Sequence, residues 1–469
     1  MRRNGLRAFG RRGRGAPRVL RFVTRRVSRI GHGLARRRGV RPVVFAAGVL
    51  ALMLLVVGIP MSVGSCVSAR PRLVENDAIA FDREPEIRAR IVRGSPEVVI
   101  DGAKSIHVRV SEASVIAPAP VTLKRTSAKA VEAVSGGQVV ASGEVVSVSS
   151  ADAREAGQEV TVRVAGVNYV GVCHARAGAS GGVDVVNEVG VEAYLTGVIS
   201  KELYQQWPLE TYKVQAVCAR TYALHERARK RKSGVFYDVE STTADQVFGG
   251  ATGLRVAHDA VLITRGQVLT YDGAILRAYY SSTCGGRSAS AADTWPTEGE
   301  YAFNLARPIQ GTRTDHVCQE SPLYTWTVER EAEDVLERVR AWGKANSHTI
   351  AGLTSIAGVR AIDHNRTGRP SHYEVKERSG VKHRISGEEL RLALNTTTPT
   401  RAAPTRDKRV NSGDLEVEAG VGVVRISGRG FGHGVGMCQF CAKGWADKGV
   451  LYSEMLSRFY PRARLVRAY

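Results

Sequence analysis

The chain has 469 residues, 43% hydrophobic and 6% aromatic, enough to bury a core over two or three domains of ordinary size, which excludes a disordered protein. Its net charge of +22 points at first to a polyanion, yet of 67 Lys and Arg against 45 Asp and Glu, 15 Arg fall within residues 1–41, where no Lys, Asp or Glu occurs. The rest is near balance, so the extreme charge describes a tail, and nucleic acid is not expected as a partner of the folded body.

After the tail, Val43 to Ile59 is uniformly apolar, and no charged residue stands between Arg41 and Arg70. This predicts one transmembrane helix within residues 42–64, with the Arg-rich tail (1–41) cytoplasmic and the body outside a bacterial cell membrane, in the periplasm or extracellular space. The alternative is a lipoprotein cleaved before Cys66, within Val63-Gly64-Ser65-Cys66; the long n-region argues against it. The tail reads as a retention and topology signal or as a ligand for anionic lipid headgroups or nucleic acid.

Residues 70–185 form a strand-rich N-terminal region, with alternation in Ile106-His107-Val108-Arg109-Val110 and Val160-Thr161-Val162-Arg163-Val164. From Val191 to about Lys232 the pattern is helical. Pro208 suits a first helical position, and Leu209, Tyr212, Ala216, Ala219 and Ala223 give one apolar face, with Arg220 and Leu224 off it. Strands and loops follow, then a helix predicted over Glu329–Lys344 and a loop over 396–409. Near the end, strand-like Val423–Ile426 leads through Gly428, Gly430, Gly432, Gly434 and Gly436 into a helix-like MCQFCAKGWADK. The alternate glycines miss the third Gly of a dinucleotide fingerprint and no Lys-Ser/Thr ending follows, so nucleotide binding is rejected. The glycines instead let the backbone approach a ligand or a neighbouring segment and present His433 and Gln439 at a cleft rim.

Four groups of residues then occur in order. VEAYLTGV (191–198) with Lys201-Glu202-Leu203, Trp207-Pro208-Leu209-Glu210 and QAVCARTYAL (215–224) come first. QVFGG (246–250), AYYSSTCGG (278–286) and GFGHGVGMCQ (430–439) follow. Together they resemble the SpoIID/LytB (sporulation stage II protein D and amidase enhancer) family over roughly residues 180–465. The resemblance implies peptidoglycan glycan-strand cleavage outside the membrane, by a lytic transglycosylase whose Glu is matched by Glu202. Its LytB side implies an alternative, a glycan-binding enhancer of a cell-wall amidase.

A glycoside hydrolase usually needs two carboxylates. A lytic transglycosylase can use one, which protonates the glycosidic oxygen and then takes the proton of the muramic acid 6-hydroxyl, closing a 1,6-anhydro ring. Glu202 suits this if burial keeps it protonated. Glu210 reads as a helix-dipole residue and Glu192 as a residue orienting the preceding helix. Gln215, Gln246, Tyr279, His433 and Gln439 are candidates for sugar hydrogen bonds. Arg220 either holds a substrate carboxylate or N-acetyl oxygen or forms a buried ion pair.

Seven cysteines are ordinary usage for this length. The resemblance implies zinc near Ser281–Cys284 in some relatives, with Cys284, His316 and Cys318 as possible ligands. No cofactor is required by the expected reaction, and zinc remains possible. A Cys284–Cys318 disulfide and free thiols stay open, as does a thiol pair in Cys438-Gln439-Phe440-Cys441, where the family more often has Gly at position 441. The expected fold is α+β: a strand-rich body with helices carrying Glu202, the glycan-processing region spanning 186–469. The early strands are free to share a sheet with the glycine-rich segment.

Overall fold

In the computed structural model, which describes residues 80–152 and 159–469, the alternating text before residue 190 folds into two mostly antiparallel sheets over a shared core. One has seven strands, in the order Val239–Glu240, Glu86–Ser95, Val183–Gly190, Val172–Ala177, Val145–Ser150, Ser105–Val110 and Ala113–Pro118. The other has six, in the order Val167–Val170, Thr161–Val164, Glu97–Asp101, Val121–Arg125, Val131–Ser135 and Gln138–Gly143. Because side chains alternate across a strand, Ile106 and Val108 are buried while Arg109 faces out. The early strands pair with one another and with Val239–Glu240, and share no sheet with the glycine-rich segment.

Strand Val183–Gly190 runs directly into helix α1 (Val191–Glu202), whose first N–H is taken by Pro85 O. Helix α2 (Leu209–Lys232) follows Pro208, which stands one position before the helix as its N-cap. Tyr212, Ala216, Ala219 and Ala223 pack toward the sandwich as expected, but Val214, Val217, Cys218 and Tyr222 are buried in a second core on the other side. That second core is built from the C-terminal helices α7 (Gln439–Ala446) and α8 (Tyr452–Phe459). Between α2 and α7 come α3 (Arg255–Ile263), the short α4 (Ala291–Thr294) and a third layer.

This layer is a six-stranded sheet, ordered Thr325–Glu331, Val423–Arg429, Leu415–Ala419, Gly358–His364, Pro370–Lys376 and Lys382–Ser386, packed on α5 (Ala332–Ala345) and α6 (Gly387–Asn395). Glu329–Glu331 therefore end a strand and do not open a helix. Trp326, Val328 and Arg330 alternate inward, and Arg330 donates to Asp334 Oδ2 (2.8 Å) and Leu394 O (2.6 Å). Residues 396–409 form a loop, as expected.

The predicted transmembrane segment, the Arg-rich tail and Cys66 lie outside the described residues. Among the described residues no helix is long and apolar enough to cross a membrane.

Candidate active site and thiol cluster

Helix α1 ends where Leu203 turns extended and is drawn into the core, which leaves Glu202 half-buried on the wall of an open cleft of roughly 520 Å³. Beside it Tyr204, 56% exposed, meets Trp207 at a ring distance of 5.2 Å, and Trp207 meets Phe440 at 5.0 Å. An exposed ring in such a cluster offers a flat apolar face of the kind sugars stack on. Neither aromatic was singled out from the sequence, although both stand within five residues of Glu202.

The opposite wall comes from the far end of the chain. Tyr280–Ser281 pairs in parallel with Met437–Cys438, and Phe431 bridges Thr283. Gly436 makes this approach possible: its φ is +73°, and a Cβ there would lie 2.0 Å from Tyr279 O. The glycines thus serve contact with a neighbouring segment, and both His433 and Gln439 line the cleft as expected.

Gln439 Nε2 donates to Glu202 Oε2 at 3.1 Å and to Gln215 Oε1 at 3.2 Å. Gln215 is fully buried, so it fixes which way the Gln439 amide faces and is not in reach of a sugar. Burial pushes the Glu202 carboxyl up from its ordinary value, and hydrogen bonds from Gln439 and the Val247 backbone oppose that without overcoming it. Asp245 is the cleft's other carboxylate; its Oδ1 accepts from Tyr222 (2.9 Å) and its Oδ2 from Glu240 N (2.9 Å), which ties down its loop.

Three further expected ligands sit behind the surface. Arg220 is fully buried: Nε and Nη2 grip Glu192 at 3.1 and 2.6 Å, and Nη1 donates to Gln267 O at 3.2 Å. It is the ion-pair partner and not a substrate ligand, and Glu192 orients α1 through it. Gln246 is buried, bonded to Tyr194 and Tyr280 hydroxyls at 3.1 and 3.0 Å and to Ala219 O at 3.3 Å. Tyr279 is buried too, with its hydroxyl on Asn304 Oδ1 (2.7 Å) and its ring stacked on Trp295 at 4.1 Å. These side chains shape the cleft from the second layer. Tyr280, which faces the cleft, had no signal of its own beyond adjacency to Tyr279. His433 Nδ1 accepts from Val435 N at 3.0 Å, so Nε2 carries the proton. Burial, outweighing the attraction of Glu388, brings the ring down to about 4, with Arg391 and Arg369 adding to the effect, and keeps it neutral at neutral pH. Glu210 keeps its structural role, accepting from Lys213 at 2.5 Å and from Tyr452 N at 2.8 Å, which ties α2 to α8.

Behind this wall four thiols converge. The sulfurs of Cys284, Cys318, Cys438 and Cys441 all lie within 4.8 Å of one another, and all four residues are buried. Cys284 Sγ is 3.6 Å from Cys318 Sγ and 3.9 Å from Cys441 Sγ, with no disulfide between them. Of the expected Cys284, His316 and Cys318, the two cysteines thus lie together with Cys438 and Cys441, and His316 Nδ1 stands beside them, 3.3 Å from Cys284 Sγ and 4.0 Å from Cys441 Sγ. Hydrogen bonds from Cys284, Cys438 and Cys441 hold the Cys318 thiol far below its ordinary value.

A family model described as Stage II sporulation protein matches residues 179–271. An amidase enhancer of Bacillus subtilis (strain 168) is 30% identical over 291 residues, 58% of this chain and 40% of that protein. An uncharacterised protein of Brachyspira hyodysenteriae is 30% identical over 59% of this chain and 66% of its own length. A stage II sporulation protein D of Bacillus amyloliquefaciens is 23% identical over 59% of this chain and 74% of its own length. The chain thus spans well under half of the amidase enhancer.

Proposed function

Because the chain belongs to the SpoIID/LytB family, we propose that it acts on the bacterial cell wall as a lytic transglycosylase that cuts peptidoglycan glycan strands, with Glu202 as acid and base. What carries the reading is one arrangement: the Glu202 carboxyl at a helix end, raised by burial, on the wall of an open cleft with an exposed aromatic ring at its lip, while the cleft's other carboxylate, Asp245, is held by Tyr222 and Glu240 N. Protonated Glu202 gives its proton to the leaving glycosidic oxygen as the C1–O bond breaks. The carboxylate then takes the proton of the muramic acid 6-hydroxyl as O6 bonds to C1, so no water is consumed. His433, neutral, and Gln439 border the path of the strand. Residues 42–64 serve in this reading as a membrane anchor with the body on the cell-wall side.

The test is product analysis by mass spectrometry after incubating the full-length protein with peptide-free glycan strands and with intact sacculi. Anhydro-ended fragments support the proposal, and reducing ends mean hydrolysis. Retained glycan binding without cleavage means an amidase enhancer, the activity named for the B. subtilis relative.

The pH profile supplies a second check. Gln439 stabilises the charged form of Glu202, so Gln439→Leu raises that carboxyl further. Cleavage needs the protonated acid and falls as pH rises through its pKa, so the alkaline limb of the variant moves to higher pH, by roughly one unit for one hydrogen bond to a charged group. An unmoved limb, read from initial rates across pH, removes Glu202 as the titrating acid.

A further inference from the structure

We propose that Cys284, Cys318, Cys438 and Cys441 form a tetrathiolate zinc site that fastens the wall of the cleft opposite α1. Three segments far apart in sequence supply the sulfurs, and their spacing suits the metal. Zinc–sulfur bonds of ~2.3 Å in a tetrahedron place sulfurs ~3.8 Å apart; Cys284 Sγ lies 3.6 Å from Cys318 Sγ and 3.9 Å from Cys441 Sγ, and all four sulfurs are within 4.8 Å of one another. All four residues are at most 2% exposed, as a closed structural site requires.

A second observation is independent of those distances. Cys438 Sγ accepts backbone N–H bonds from Cys284 (3.3 Å) and Cys441 (3.4 Å). The bond from residue 441 back to 438 folds the C-x-x-C turn so that both sulfurs face the same point, and backbone N–H donors on a sulfur are the outer contacts that orient a metal-bound ligand. Binding exchanges four thiol protons for one divalent cation with no redox change, leaving a dianionic centre whose charge those donors partly meet. His316 lies against Cys284 Sγ and serves as a partner to a bound sulfur.

The position gives the site a consequence. Gln439 follows Cys438 directly, and Ser282, on the cleft, stands two residues before Cys284. A metal holding both cysteines sets where Gln439 meets Glu202.

The full-length protein, purified under reducing conditions without added metal, is expected to carry about one zinc per chain by elemental analysis, since the four sulfurs complete a tetrahedron. After chelation it is expected to take up cobalt(II) with thiolate-to-metal charge-transfer bands and the visible bands of a tetrahedral all-sulfur site. Cys318→Ser and Cys438→Ser each lose that spectrum, and His316→Ala keeps it. Two disulfides among these cysteines found by mass spectrometry in protein isolated without reductant, or four alkylatable thiols with no cobalt bands on the wild-type chain, overturn the proposal. Loss of the spectrum in His316→Ala but not in Cys438→Ser overturns the all-sulfur set.

Discussion

Glu202→Gln is expected to lower glycan-strand cleavage by at least ~10²-fold, the lower bound of what a positioned proton donor contributes, while leaving the fold intact. The amide has the carboxylate's shape and can still accept from Gln439, but it cannot donate a proton to a leaving oxygen and take one back. Its effect on stability separates a catalytic from a structural role. The folded carboxyl is raised by burial, so the native state binds a proton that the unfolded state has released. Stability from this group is therefore lost as pH rises from the ordinary carboxylate value through the raised one. The neutral amide escapes that loss, so the variant should match or exceed the wild type in denaturant unfolding at neutral pH and match it at acid pH. A variant that cleaves like the wild type ends the proposed role of Glu202; one that is inactive because it is unfolded makes Glu202 a structural residue.

The second large effect is on stability alone. Arg220→Met is expected to destabilise the protein by about 3–5 kcal/mol, the cost of leaving a buried charge without its partner. Glu192 is 8% exposed and also receives Gly266 N at 3.1 Å and the Tyr469 hydroxyl, so it remains buried when the guanidinium goes. Glu192→Gln combined with Arg220→Met should recover part of the loss, because no unpaired charge is then left. The comparison is made by urea unfolding of the two variants and the parent. Were Arg220 a substrate ligand, the single variant would instead keep its stability and lose glycan affinity.

That Arg220 was readable as a substrate ligand shows where sequence pattern stops. Its place off the small-residue stripe of α2 implies solvent only if one side of the helix is covered. For Arg220 the second cover is Glu192 of α1 together with Val261, Thr264 and Gln267, 41 to 47 residues later, and no local periodicity reports it. Gln215 and Gln246 are covered from other parts of the chain as well, Gln215 beside Gln439 of α7 and Gln246 against Tyr194, Ala219 and Tyr280. Helices α1 and α2, by contrast, were legible because their signals are local: a helical run up to Glu202 and a proline just before Leu209. Charge misled at Glu329–Glu331, where EREAEDVLER looks helical throughout while Trp326, Val328 and Arg330 keep the period of two. Helix α6 was overlooked although Ser386 and Glu389 form a capping box that is visible in the sequence. The thiol cluster was legible only in pieces, as the C-x-x-C of Cys438 and Cys441 and as Cys284 with Cys318, and no local pattern joins them, since Cys284 and Cys441 are 157 residues apart.

The bond from Gln439 to Glu202 joins residues 237 apart, and the whole layer from Thr325 to Arg429 is made between them. Chains are synthesised from the N-terminus and their early parts can fold first, so the sandwich and α1 can form while the wall carrying Gln439 does not yet exist. The Glu202 carboxyl thus meets its amide partner only after position 439 has been made, and a translation product stopped before it presents Glu202 in half a cleft. The proposed cleavage of glycan strands would thereby wait until the segment that carries Gln439 has been made.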